Sequence, residues 1–396
     1  MNRLTRMVLW DTLKIFCVSL IALTAVILLI AVVKTAMDQG LGPLAVLQLL
    51  PFVLPLSLQF AIPATALFSV CCVFGRMSAD GEIAAVKASG ISPVRLLMPA
   101  WIFALALSPL TVALGDLAGS WGVPGMKRVL MMSIEEVVVR VLASERSYST
   151  PQGLSIHVRD VTEDRRLIHP SITLRRDAES QPLRLTAREG RIQLNPQTQQ
   201  LDIIVDDFHI EGGSFRMNHP KRGKIPINLD KVFRKGGGQL RPSELPLLSL
   251  RFQRQQTQTQ LASMRGHQAT HAAFSLASAR WDKLSNEEGQ RLRSEIKSAE
   301  HRIGRLDLEP WRRWATGFSC LCFCFVGAPL AVLLRSRDYW MTFGACFLPI
   351  LLIYYPLMML GTDQAKQGEM PLYAPWLGNI TLLAIGVFLV TRVRRY

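Results

Sequence analysis

Residues 15–33 read Ile-Phe-Cys-Val-Ser-Leu-Ile-Ala-Leu-Thr-Ala-Val-Ile-Leu-Leu-Ile-Ala-Val-Val, without one charged side chain. A helix needs about 20 mainly apolar residues to cross a hydrocarbon core ~30 Å thick. Five further stretches meet that condition: Leu44–Phe74, Leu96–Gly115, Trp314–Leu334, Tyr339–Thr362 and Met370–Thr391. A helix buried in a soluble core rarely runs this long uncharged, so the pattern predicts six membrane spans. Leu44–Phe74 is too long for one straight helix. Its Pro51, Pro55 and Pro63 predict a kink or a break there. The first stretch is longer than the roughly 7–15 residues of a signal-peptide core. Lys34 follows it in place of a small-residue cleavage site, so it reads as a retained span.

Orientation follows from Arg and Lys near the span ends. Arg3, Arg6, Arg76, Lys87, Arg95, Arg335, Arg337, Arg392, Arg394 and Arg395 fall on one side. The short loops on the other, Met37–Pro43 and Asp363–Glu369, hold only Lys366. Both termini are therefore expected in the cytoplasm, and the segment between Gly115 and Trp314 outside. Its own basic residues do not oppose this, because long domains translocate largely regardless of charge.

The formal charge of +15 thus calls for no nucleic acid. Part is the positive-inside signature; the rest suits a polyanionic substrate or an anionic membrane surface. All seven cysteines lie in or beside spans, so the exported segment is expected to be held by its core, not by disulfides. Cys320, Cys322 and Cys324 invite a metal reading. At 100° per residue their thiols point to different helix faces and no histidine is near, so they read as small apolar filler. His267 and His271 have a zinc-compatible spacing but no third ligand, and read as solvated helix surface.

From about Ser147 to Leu250 the sequence alternates at period two, the mark of β-strands with one apolar face. Ile156 and Val158 alternate with His157 and Arg159, and Leu183, Leu185 and Ala187 with Arg184, Thr186 and Arg188. Ile192 and Leu194 lead through Asn195-Pro196-Gln197-Thr198 to Leu201, Ile203 and Val205, which predicts a hairpin. Strands of this kind form a sandwich or jelly roll. From about Gln253 to Leu308 a helical hairpin is expected. Ser285 and Glu288 fit a capping box, and Leu292, Ile296, Ala299, Ile303 and Leu306 form a seam running toward span four.

The expected division is therefore residues 1–118 (spans one to three, with a cytoplasmic helix at 78–90), 119–252 (an all-β jelly-roll domain), 253–309 (the helical hairpin) and 310–396 (spans four to six). No phosphate-binding loop, zinc-protease helix or nucleophile elbow is present. No charge lies mid-span, which argues against an ion-coupled carrier. A membrane machine without its own engine remains, and no cofactor is expected.

Between spans two and three stands Gly75-Arg-Met-Ser-Ala-Asp-Gly-Glu82-Ile83-Ala-Ala-Val86-Lys-Ala-Ser-Gly90-Ile-Ser-Pro93. It reads as a short helix, capped by Ser78 or Asp80, with Ile83 and Val86 as an apolar patch and Gly90 as its stop. Taken alone it is a connector. The text resembles the coupling helix of the LptF/LptG (YjgP/YjgQ) permease family, where a Glu precedes by eight residues the Gly of an Ala-Ser-Gly ending. Glu82 and Gly90 keep that spacing. Gly327-Ala-Pro329-Leu330, followed by Arg335 and Arg337, resembles the family's second membrane block. The three-plus-three spans and the inserted β-domain resemble it too. The long Gln-rich hairpin departs from the family's compact link.

The resemblance implies a permease subunit of an ABC transporter, not an enzyme. A second LptF/LptG-type subunit and an LptB-like ATPase dimer would complete it. It implies extraction of lipopolysaccharide from the inner membrane and delivery to an LptC/LptA-like periplasmic bridge. Glu82, Ile83, Val86 and Gly90 would then meet the ATPase. Each CH₂ exposed to water costs ~0.8 kcal/mol, so moving a multi-chain lipid needs an energy source and a path that never wets the chains. Lys34, at the outer end of span one, either meets lipid phosphate, as the family implies, or is an interfacial snorkelling side chain. Two readings from other classes stay open: an envelope sensor or scaffold, and a membrane enzyme with an unrecognised site.

Overall fold

The computed structural model describes residues 3–39, 42–149, 154–162, 166–174, 183–195, 200–212, 215–219, 223–228, 240–277, 287–335 and 338–395. Its helices are α1 (Arg3–Gln39), α2 (Pro43–Ala79), α3 (Glu82–Ala88), α4 (Pro93–Leu117), α5 (Val123–Glu145), α6 (Leu247–Ala277), α7 (Glu287–Leu334), α8 (Tyr339–Gln367) and α9 (Leu377–Arg395). Six of them, α1, α2, α4, α7, α8 and α9, are long and apolar enough to cross a membrane. An even number of spans puts residues 3 and 395 on one side, here the terminal side; the other is the domain side.

The chain divides into two compact units. The first comprises Met1–Leu29, Phe52–Val123 and Arg241–Tyr396. Its centre is α7, with 67% of its span buried, against 17% for α1 and α8. Small residues allow close approach of helices in lipid. Gly317 of α7 thus sits directly against Val112 and the Ser108 carbonyl of α4. Polar atoms tie three spans at one node: Asn379 Nδ2 donates to the Ala315 carbonyl at 2.8 Å, and the Tyr354 hydroxyl to the same oxygen at 3.5 Å. The Tyr354 ring meets Phe323 edge-on at 5.0 Å. Cys320, Cys322 and Cys324 are all buried among these apolar neighbours.

Of the kink or break expected in span two, the break is absent. α2 runs unbroken through Pro51, Pro55 and Pro63. Neighbouring helices and local adjustments satisfy the carbonyls that a proline frees.

The second unit comprises Ile30–Pro51 and Pro124–Leu240. Among the described residues its strands are β1 (Ser147–Ser149), β2 (Leu154–His157), β3 (Asp160–Val161), β4 (Arg166–Ile168), β5 (Ser171–Leu174), β6 (Leu183–Asn195), β7 (Gln200–Gly212), β8 (Phe215–His219) and β9 (Gly223–Asn228). They form one small, curled, antiparallel sheet. The long hairpin β6–β7 is its spine, with Ile192 opposite Ile203 and Leu194 opposite Leu201. β6 hands its outer edge from β5 to β4, and β7 from β9 to β8. Both exchanges flank Arg188 and Asp207. Asp207 has φ 56°, and the Arg188 carbonyl accepts from the His169 N–H at 3.0 Å.

The alternation read from the sequence holds: Ile156, Val158, Leu185, Ala187, Ile192, Ile203 and Val205 are buried together. One feature differs from expectation. Residues 123–145, assigned to the β-domain, are helical, joined to α4 by a π-helical turn at Ala118–Gly122. The β-branched run Val137-Val138-Val139 favours strand locally, but burial at helical spacing wins, because Val138 and Leu142 close the sheet's core. The interior of the sheet is filled by its own side chains, Ile203 among them.

The hairpin arms are α6 and the first half of α7, pinned by Arg254–Asp307 at 2.6 Å and Arg265–Glu300 at 2.8 Å. Ile296 and Leu306 of the predicted seam are buried. Ser285 of the capping box lies outside the described residues, as does the His271 side chain; His267 is exposed.

Candidate functional site

The loop between α2 and α4 is built to hold one short helix rigidly. α2 runs to Ala79, so the helix placed at 78–90 is confined to Glu82–Ala88. Gly81 precedes it at φ 78°, a left-handed turn that favours glycine. Its carbonyl receives the Ala85 N–H at 3.0 Å. At the other end Gly90 has φ 81°, its N–H donates to the Lys87 carbonyl at 3.0 Å, and the Ile91 N–H to the Val86 carbonyl at 3.3 Å. That pair of bonds is a Schellman stop, and Pro93 then opens α4.

Ser78 does not cap α3. Its hydroxyl donates to the Val332 carbonyl of α7 at 2.7 Å. Two residues earlier in α2, Arg76 Nη2 donates to Asp11 Oδ2 of α1 at 3.1 Å. The root of α3 is thereby tied to two other spans. Ile83 packs on the main core, and a cleft of about 360 Å³ opens beside it. Ser78, Ala84, Lys87, Val332, Arg335 and Val393 line the cleft with Ile83. Glu82 and Val86 are half-buried, and Glu82 stands in the first turn of α3, where the helix N-terminus favours a carboxylate. The arrangement offers a mixed apolar and basic notch on the terminal side.

Gly90→Val is expected to cost about 1–2 kcal/mol at this turn, because a β-branched residue disfavours the left-handed region. Hydrogen exchange of the amides from Glu82 to Ile91 measures it; unchanged protection would show that the stop does not depend on glycine.

Lys34 is exposed on α1. Sequence reading missed a second cluster, on the domain side. Arg313, buried, donates through Nε to Glu309 Oε1 at 3.2 Å and through Nη2 to the carbonyls of Leu245 and Ser243 at 2.8 and 3.1 Å. Its Nη1 bonds Asp116 Oδ1, which also accepts the Leu247 N–H at 2.9 Å. Arg312 Nε donates to Glu309 Oε2 at 3.1 Å. A Cβ at Gly119, in the π-helical turn, would lie 2.5 Å from the Ser243 carbonyl oxygen. One signal was available: Asp116 and Arg313 are opposite charges flanking the same ends of spans three and four.

No curated protein matches the sequence. Residues 6–392 match the family Lipopolysaccharide export system permease LptF/LptG. That match covers all six spans, the loop of α3 and the curled sheet. The chain therefore belongs to the LptF/LptG family of lipopolysaccharide export permeases, membrane subunits of a multi-pass inner-membrane transport system.

Proposed function

We propose that the protein is one permease subunit of an ABC transporter that extracts lipopolysaccharide from the inner membrane. The observation that supports this most is the α3 notch. A short helix is fixed at both ends and rooted in spans α2 and α7, in a chain with no nucleotide-binding loop of its own. In this reading α3 docks on an LptB-like ATPase dimer through Glu82, Ile83, Val86 and Gly90. A second LptF/LptG-type subunit covers spans α1 and α8, which bury least within this chain. The curled sheet, taken as a jelly roll of the family's kind, passes lipid to an LptC/LptA-like bridge. Because its interior is packed, the sheet must open to admit an acyl chain. Lys34 meets lipid phosphate at the domain-side end of span one.

In this reading the terminal side is cytoplasmic and the sheet periplasmic, which the basic residues around α3 support. In a background without native cysteines, an impermeant thiol reagent added outside should label Gln290→Cys and spare Ala79→Cys. Outside labelling at Ala79→Cys would reverse the orientation. The function itself is tested by purifying the protein with its partners and identifying the ATPase and lipid that accompany it. A reconstituted complex is then scored for ATP-dependent lipid transfer to an acceptor. Copurification with a signalling kinase and no transfer would replace the permease by an envelope sensor.

A further inference from the structure

The foot of α6 lies where the spans end. The Leu247 N–H is held by Asp116, which follows span three, and the Leu245 carbonyl by Arg313, which precedes span four. Leu308, on the neighbouring stretch of α7, packs with Met370, Ala374 and Leu377 from the connection between spans five and six. α6 therefore starts at the membrane surface on the domain side.

At this foot two large apolar side chains face outward. Leu248 is 95% exposed and Phe252 69%. Four residues apart, they share one helix face, while Leu250 turns inward to Leu245 and Leu306. Above Phe252 the outward face continues as Gln255, Thr259, Ala262 and Gly266. The apolar patch is thus about 6 Å tall, close to the roughly 7 Å of one headgroup layer. A helix face made for a protein groove repeats its anchors over several turns; this one stops after a single turn. Arg251 is exposed beside the patch, three residues on from Leu248 and so its surface neighbour, and Trp311 and Trp314 are half-exposed on the adjoining part of α7. Aromatic and basic side chains together mark the interface layer of a bilayer.

We propose that Leu248, Arg251 and Phe252 form an interfacial site for anionic phospholipid in the leaflet on the domain side. Leu248 and Phe252 enter the boundary between headgroups and chains, and Arg251 meets the lipid phosphate. The ligand is bulk membrane phospholipid, not the exported cargo, so the site does not rest on the permease assignment.

The test uses the full chain without native cysteines, in nanodiscs of phosphatidylcholine with or without phosphatidylglycerol. An environment-sensitive fluorophore is attached at Leu248→Cys, leaving Arg251 and Phe252 in place, or at Thr259→Cys on the same face. Headgroup spin-labelled lipid should quench the first probe several-fold more than the second, and labelled phosphatidylglycerol more than labelled phosphatidylcholine. Arg251→Gln should cut that preference about fivefold, the effect of one interfacial basic residue at about 1 kcal/mol. Equal quenching at the two positions overturns the proposal. So does quenching that appears only after lipopolysaccharide is added, which would assign the foot to cargo. Energy transfer between probes on two chains without lipid quenching overturns it too, by showing a protein contact.

Discussion

A complex carrying Glu82→Arg is expected to lose most ATPase recovery and lipid transfer while the permease subunit stays folded and inserted. Glu82 is half-buried in the first turn of α3, and no residue of that helix is fully buried, so the fold does not depend on it. A carboxylate docked on a partner accepts charge-assisted hydrogen bonds worth about 1.5–3 kcal/mol each. Losing one weakens docking roughly ten- to a hundredfold. Glu82→Ala removes that term, and Glu82→Arg adds repulsion against a basic partner. An exposed glutamate on an idle loop would change stability by no more than about 0.5 kcal/mol and leave transport alone. Pull-down of the ATPase and the rate of lipid transfer, measured on one preparation, separate the two cases. If Glu82→Arg assembles and transfers lipid at the wild-type rate, α3 is not the coupling element and the sensor reading moves ahead.

Arg313→Ala should give the largest loss of stability. Its guanidinium satisfies Asp116, Glu309 and the carbonyls of Ser243 and Leu245 at once. Removing one partner of a buried ion network strands the others, at about 3–5 kcal/mol. Lysine keeps the charge but not the planar fork, so Arg313→Lys should recover only part of it. Pairing Arg313→Met with Asp116→Leu should cost less than the two single changes summed, since neither charge is left alone. Thermal unfolding of the purified protein measures all five variants. Single changes no larger than surface substitutions would mean the cluster is not holding the foot of α6.

The six spans were legible because each is an uncharged run of sufficient length, and hydropathy needs no tertiary information. The β6–β7 hairpin was legible for a similar reason: one buried face imposes alternation on Ile192, Ile203 and Val205. Residues 123–145 were misread because their burial depends on a sheet that follows them in the chain. Val138 and Leu142 acquire an inward side only once that sheet exists. The spacing of Glu82 and Gly90 pointed to α3, and the Schellman bonds give that glycine its local reason. The Ser78 bond was not legible, because its acceptor is a backbone carbonyl 254 residues away. A serine before a short helix looks like a cap when only local sequence is in view.

α7 is one helix of 48 residues. At 1.5 Å per residue it is a rod about 72 Å long. Its terminal-side end receives the Ser78 hydroxyl, and its other end forms an arm of the hairpin. Pro310, which cannot donate to the helix ladder, divides arm from span. A tilt of about 10° there would swing the start of the helix, ~35 Å away, through roughly 6 Å. Val332, where Ser78 is bound, stands a comparable ~33 Å beyond Pro310, so a displacement of a few ångströms at the root of α3 would reach the hairpin tip at about its own size, carried by two nearly equal arms of one helix.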